Sequence, residues 1–164
     1  MLAELSGRPE VASASLRSSF RLRNLLGDDP DKVVLLLVHA QSRAHEHAWR
    51  VLPTDLNKLK ADRRLVATGL AADDPAIDIR YQPARDGFDA YVSGDDLLAL
   101  QKRFQPQLDS IAPNVVLRIP VASSWILDQQ HAPSAVVAAD LLNDRDARVR
   151  RAARAALGWL IRAH

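Results

Sequence analysis

The chain has 164 residues, 48% hydrophobic and 26% charged, with nine Pro and six Gly. That composition excludes a disordered or low-complexity chain and predicts one ordinary globular domain, or two small lobes sharing a core. It contains no cysteine, which excludes disulfides, Cys-ligated zinc or iron–sulfur centres and thiol catalysis. The formal net charge of +2 hides an asymmetry. Residues 1–72 carry 11 Lys and Arg against 8 Asp and Glu, residues 73–144 carry 5 against 11, and residues 145–164 carry 6 against 1. An acidic middle thus lies between two basic ends, a pattern that suits an anionic partner or self-association. The longest apolar run, Val33–Val38, is far short of the roughly 20 residues that span a bilayer, so no membrane segment is expected. The opening MLAELSGRPE carries Glu4 and no apolar core, so no signal peptide is expected and the cytoplasm is the expected compartment.

In chain order, Leu16, Phe20, Leu25 and Leu26 recur at near-helical spacing before Gly27, predicting a first helix. Asp28-Asp29-Pro30-Asp31 is a turn that also suits a helix start. Val33–Val38 is β-branched in part, but its polar continuation HAQSRAHEHAWR favours a buried helix running to about Trp49 over a strand. Thr54 is the expected cap of a helix to about Arg64. Leu56 and Leu59 face inward, and Lys58, Lys60, Arg63 and Arg64 face water. Leu65–Thr68 reads as a short strand ending at Gly69, and Ala72–Pro75 as a loop.

Ile77, Ile79 and Tyr81 alternate with polar residues, as do Phe88, Ala90 and Val92 after the turn 83–87, so a hairpin is expected. Ser93 with Asp96 three residues on forms a capping box for a helix ending at Phe104, before Pro106. Asn114–Pro120 reads as a strand, and Trp125–Leu127 as an apolar island in a loop. Pro133 starts an Ala- and Val-rich helix to about Leu142. A last helix, about Asp146 to Arg162, has its apolar seam at Val149, Ala152, Ala153, Ala156, Leu157 and Leu160. Asp144–Arg148 and Asp146–Arg150 are expected i,i+4 ion pairs.

No residue set converges on catalysis. His39, His45 and His47 crowd around Glu46, but on a helix His45 and His47 point about 200° apart and share no ion. Asp95 and Asp96 at a helix start are explained by the helix dipole rather than by acid–base work. No Gly-x-Ser-x-Gly elbow and no Gly-rich phosphate loop occurs. No cofactor or metal is expected. The basic residues are the remaining candidates. Arg148, Arg151 and Arg154 repeat every third residue on the last helix, a spacing that suits a phosphate backbone. Arg63 and Arg64 on the helix after Pro53, followed by Arg80 and Arg85 on the hairpin, outline a winged helix, with Gln41–Leu52 as the preceding helix of a helix-turn-helix. A solvated helix face is the plainer explanation of the same arginines.

From about Leu56 to Leu160 the chain resembles the C-terminal region of actinobacterial AbiEi-type proteins, transcriptional regulators and antitoxins of the type IV toxin–antitoxin class. The stretches that carry this are Lys60–Gly69, KADRRLVATG, and Phe88–Val92, FDAYV. The next are Asp96-Leu97-Leu98, then Asn114–Pro120, NVVLRIP. The last is Ala132–Leu142, APSAVVAADLL, followed by Asp146–Arg154, DARVRRAAR. The resemblance implies a repressor of its own operator that counteracts a nucleotidyltransferase-like toxin, and it supplies no catalytic residues. Residues 1–52 do not show the winged helix-turn-helix that usually precedes this region in the family.

The expected fold is α+β. A helical N-terminal segment (1–52) is followed by a domain (53–164) in which a small mixed or antiparallel sheet packs against helices and a helix pair closes the chain. The expected function is that of a non-enzymatic, antitoxin-like transcriptional regulator. It would contact duplex DNA, a cognate toxin or both through Arg148, Arg151, Arg154, Arg63, Arg64, Arg80 and Arg85. The alternative is an interaction module that pairs the acidic middle of one chain with the basic end of another, as in a homodimer, without DNA.

Overall fold

The computed structural model describes residues 44–77, 87–108, 110–121 and 124–163. The expected N-terminal helix and the run Val33–Val38 lie outside the described residues, as do Arg80, Arg85 and most of the expected first hairpin strand. The fold is α+β. Five strands form one mixed sheet, and four α-helices accompany them among the described residues. In chain order these are β1 (Ala44–Arg50), α1 (Pro53–Lys60), β2 (Val66–Thr68), β3 (Phe88–Tyr91), α2 (Gly94–Phe104), β4 (Gln107–Leu108), β5 (Val115–Pro120), α3 (Ser134–Leu141) and α4 (Ala147–Ala163). Single 3-10 turns occupy Gly69–Ala72 and Ser124–Asp128. The chain divides into two compact units. One holds the sheet with α1 and α2, and the other holds residues 74–77 and the pair α3 and α4.

The sheet order is β2-β3-β5-β1-β4. β1 runs antiparallel to β5 over six residue pairs and to β4 at Trp49 and Arg50. β3 is antiparallel to β2 and parallel to β5, with α2 in the connection between β3 and β5. The helical expectation for Val33–Trp49 therefore fails over its last six residues. Cross-strand pairing with residues 107–120 overrides a local pattern that looked helical, and strand formation is the more context-dependent of the two. The expected domain boundary at residue 52 falls within one unit, because β1 is hydrogen-bonded into the sheet formed by the following segments.

The hairpin expectation also changes. Both edges of β3 are taken, by β2 and by β5, so no edge of Phe88–Tyr91 is left for the strand expected at 77–82. With Ala44–Arg50 in a strand, the segment Gln41–Leu52 is not the first helix of a helix-turn-helix.

Strand parity sorts the sheet into two faces. Trp49, Val115, Leu117, Phe88, Ala90 and Val92 share one face and form a core with Leu56 and Leu59 of α1 and Leu97 and Leu100 of α2. Leu59, Ala90, Val92, Leu100 and Leu117 are fully buried. Helix α1 starts with Pro53 in its first turn, and its N-cap is Leu52, which offers no side-chain bond, so Thr54 is not the cap. It ends at Lys60, which places Arg63 and Arg64 in the following turn rather than on the helix. Helix α2 begins as expected: Ser93 Oγ accepts from the Asp96 N–H at 3.1 Å and donates to Asp96 Oδ2 at 2.6 Å. It closes at Gln105, whose φ of 42° is left-handed.

In the other unit, α3 is buried at Ala135, Val136, Val137, Ala138, Ala139 and Leu141. A helix apolar on nearly every side belongs inside a core. α4 packs against α3; of the expected seam, Val149, Ala153 and Leu157 are fully buried and Ala156 and Leu160 nearly so, whereas Ala152 is half-buried.

Candidate nucleic-acid interface

The start of α4 is built from short carboxylate–backbone bonds. Asp144 Oδ1 accepts from the Asp146 N–H at 2.7 Å, and Asp146 Oδ1 accepts from the Arg148 N–H at 2.8 Å. Arg150 turns back, and its Nη1 donates to the carbonyls of Asp144 at 2.7 Å and Arg145 at 2.9 Å. These bonds replace the expected ion pairs Asp144–Arg148 and Asp146–Arg150. A backbone N–H at a helix start has no partner within the helix, so a nearby carboxylate is drawn to it first.

This leaves Arg148, Arg151 and Arg154 exposed on α4, and none of the three has an ion-pair partner among the described residues. They span seven residues, six steps and about 9 Å along the helix axis. Trp159, 58% exposed, follows Arg148 by eleven residues, about three turns, and so returns to the same line of the helix. It places an aromatic ring beside the Arg148 edge of the arginine face, about 140° round the axis from Arg154. Sequence reasoning did not single it out, although position 159 falls between the seam positions 157 and 160 and outside that seam.

The two arginines of the α1–β2 turn differ from one another. Arg63 is exposed. Arg64 is half-buried and forks onto Asp62, with Nε to Oδ1 at 2.9 Å and Nη2 to Oδ2 at 2.7 Å. Asp96 Oδ1 lies 3.9 Å from Arg64 Nη1, and Arg103 Nη1 lies 3.4 Å from Asp62 Oδ2. The hydrogen-bonded Arg64 guanidinium holds the Asp62 carboxyl below its ordinary range, and Asp62 in turn raises Arg64. Arg64 is thus committed inside its own unit rather than offered to a partner.

Two further features were not anticipated from the sequence. On the sheet face opposite the Trp49 core, the buried Arg118 of β5 bridges its neighbouring strands, with Nε 3.2 Å from Glu46 Oε1 of β1 and Nη1 3.1 Å from Asp89 Oδ2 of β3. Asp89 also sits against Gly69. The second feature is an open cavity of about 1000 Å³ with Arg50 and Arg103 in its wall. As for the histidines, a strand brings His45 and His47 to one face, unlike the expected helix. No group of three His, Cys, Asp or Glu side chains able to hold a metal ion occurs among the described residues. Among the same residues, no helix is long and apolar enough to cross a membrane.

No protein-family model matches the chain, and neither the curated proteins nor the solved structures include a match to it.

Proposed function

We propose that the chain is a non-enzymatic regulatory protein that binds duplex DNA through the arginine face of α4, as the resemblance to AbiEi-type antitoxins and transcriptional regulators implies. The observation that supports this reading is the exposure of Arg148, Arg151 and Arg154 on one helix without acidic partners among the described residues. Guanidinium groups in that state are available to fork onto phosphate oxygens. Trp159 adds an exposed aromatic surface on the line of Arg148. Arg63 is a second exposed cation, and Arg64, through its bond to Asp62, contributes to the fold instead.

The test is a salt titration of binding to random duplex and to the chain's own promoter. Phosphate contacts make log affinity fall linearly with log salt. Binding at about 50 mM salt that weakens along such a line supports the proposal, and no binding at that ionic strength overturns it. In the second case, a homodimer that dissociates at high salt in light scattering favours the interaction-module alternative. A nucleotidyltransferase-like toxin that co-purifies with the chain supports the antitoxin role.

A further inference from the structure

We propose that the cavity between the end of β1 and the end of α2 binds a small organic anion, a phosphate or carboxylate carried on an apolar body. This goes beyond the DNA-binding reading and involves none of its residues. The cavity lies within the sheet unit, and its volume of about 1000 Å³ is at the upper end of the range of small-molecule sites.

Its charge comes from two guanidinium groups. Arg50 is anchored by one Nη1 bond to the Ala112 carbonyl at 2.9 Å, which leaves the other donors of its fork unused by that bond. Arg103 lies over the Phe104 ring, 5.0 Å from its centroid, a stacking that holds the fork in place. Its contact with Asp62 at 3.4 Å is the longer of that carboxylate's two arginine contacts, Arg64 being at 2.7 Å. The one carboxylate in the wall, Asp55, is paired with Lys58 at 2.9 Å, so the two arginines set the sign of the site.

The rest of the wall is mixed, with Gln105, Gln107 and Asn114 beside apolar residues that can meet an apolar body. Leu52 is 67% exposed at the corner between β1 and α1, and Phe104 contributes a half-buried ring. The wall is also stiff. Both ends of the Asn114 side-chain amide are bonded to Val51, and Arg50 is fixed by its pairing with Gln107. Stiff walls that carry two guanidinium groups are the features that favour a ligand of this class.

The test is calorimetric titration of the full chain with phenyl phosphate, with inorganic phosphate and benzyl alcohol as comparison arms. Phenyl phosphate is expected to bind more tightly than either. Arg50→Ala and Arg103→Ala should each weaken it by about tenfold or more, the loss of one charge-assisted hydrogen-bonding group. The triple variant Arg148→Ala, Arg151→Ala, Arg154→Ala should bind it like the parent chain, so failure of the DNA reading leaves this result intact. If Arg50→Ala loses its cooperative melt, Arg50→Lys and Arg103→Ala carry the test, because lysine keeps the charge and loses the fork. Absence of binding at millimolar phenyl phosphate overturns the proposal. So does unchanged affinity in the arginine variants.

Discussion

Asn114 completes the pairing of β1 with a side chain instead of a strand. Its Nδ2 donates to the Val51 carbonyl at 2.9 Å and its Oδ1 accepts from the Val51 N–H at 2.9 Å, across 63 residues of sequence. The Asn114 backbone N–H donates to the Trp49 carbonyl at 3.0 Å. An amide carries one donor group and one acceptor on the same plane, so it can stand in for a residue of an antiparallel partner.

Asn114→Ala leaves both Val51 groups without these partners, and Val51 is buried. We expect a loss of about 2 kcal/mol in urea unfolding, the cost of two orphaned backbone groups partly relieved by water. Asn114→Asp sets a carboxylate oxygen against the Val51 carbonyl where Nδ2 donated, so at neutral pH it should lose at least as much as Asn114→Ala. A midpoint unchanged in Asn114→Ala would show that the two bonds contribute nothing.

Gly69 and Gly94 give opposite expectations. Gly69 has a φ of +59°, and a Cβ there would lie 3.1 Å from Asp89 Oδ2. Gly69→Ala should therefore destabilise by about 1–2 kcal/mol through backbone strain and crowding. At Gly94 no atom lies within 4 Å of an added Cβ, and the residue opens α2. Gly94→Ala should be neutral or stabilising by up to about 1 kcal/mol. Thermal melts of the two variants read the contrast directly.

Asp62 gives the fold a defined pH dependence. Its carboxyl is held low by Arg64, so its contribution is fully present above the unfolded carboxylate range, near pH 4. That contribution is lost as pH falls through the lower folded value. The stability difference between the parent chain and Asp62→Asn should thus be flat above about pH 5 and shrink on acidification. Denaturant midpoints collected from pH 7 to pH 3 check the sign, and a difference that grows toward acid would contradict it.

On the DNA reading, replacing Arg148, Arg151 and Arg154 by Ala should flatten the plot of log affinity against log salt by roughly 0.9 for each guanidinium that meets a phosphate. Arg150→Ala is the contrasting variant. Its guanidinium holds the carbonyls of Asp144 and Arg145, so the expected effect is a lower melting temperature rather than a changed salt slope. Fluorescence anisotropy with a labelled duplex separates the two.

Elements whose signals are local were legible in the sequence. Ser93 caps α2 as its spacing with Asp96 requires, Gly69 ends β2, and the seam of α4 is buried where the period of 3.6 places it. The strand at Ala44–Arg50 was not legible. Its partners lie at 107–108 and 115–120, and nothing in AHEHAWR itself announces them. The mistaken hairpin has the same origin. Phe88–Tyr91 alternates as a strand should, but alternation does not say which strand lies alongside. At the arginines, sequence showed the stripe on α4, whereas the fork from Arg64 to Asp62 depends on a turn that begins where α1 stops. The Arg118 bridge links three strands distant in sequence and could not be read from spacing.

The strand order also sets a timetable for synthesis. β1 emerges first of the described strands, yet its long partner β5 is made some sixty residues later, the separation of Val51 from Asn114 being 63. Among the described strands, β2 and β3 can zip together early, and β4 reaches only Trp49 and Arg50 of β1. Until β5 leaves the ribosome, Ala44–Ala48 has no partner strand among the described residues and is open to capture by chaperones or by neighbouring nascent copies. A slower decoding rate between codons 51 and 114 would lengthen that exposure, and a stretch of optimal codons there would shorten it.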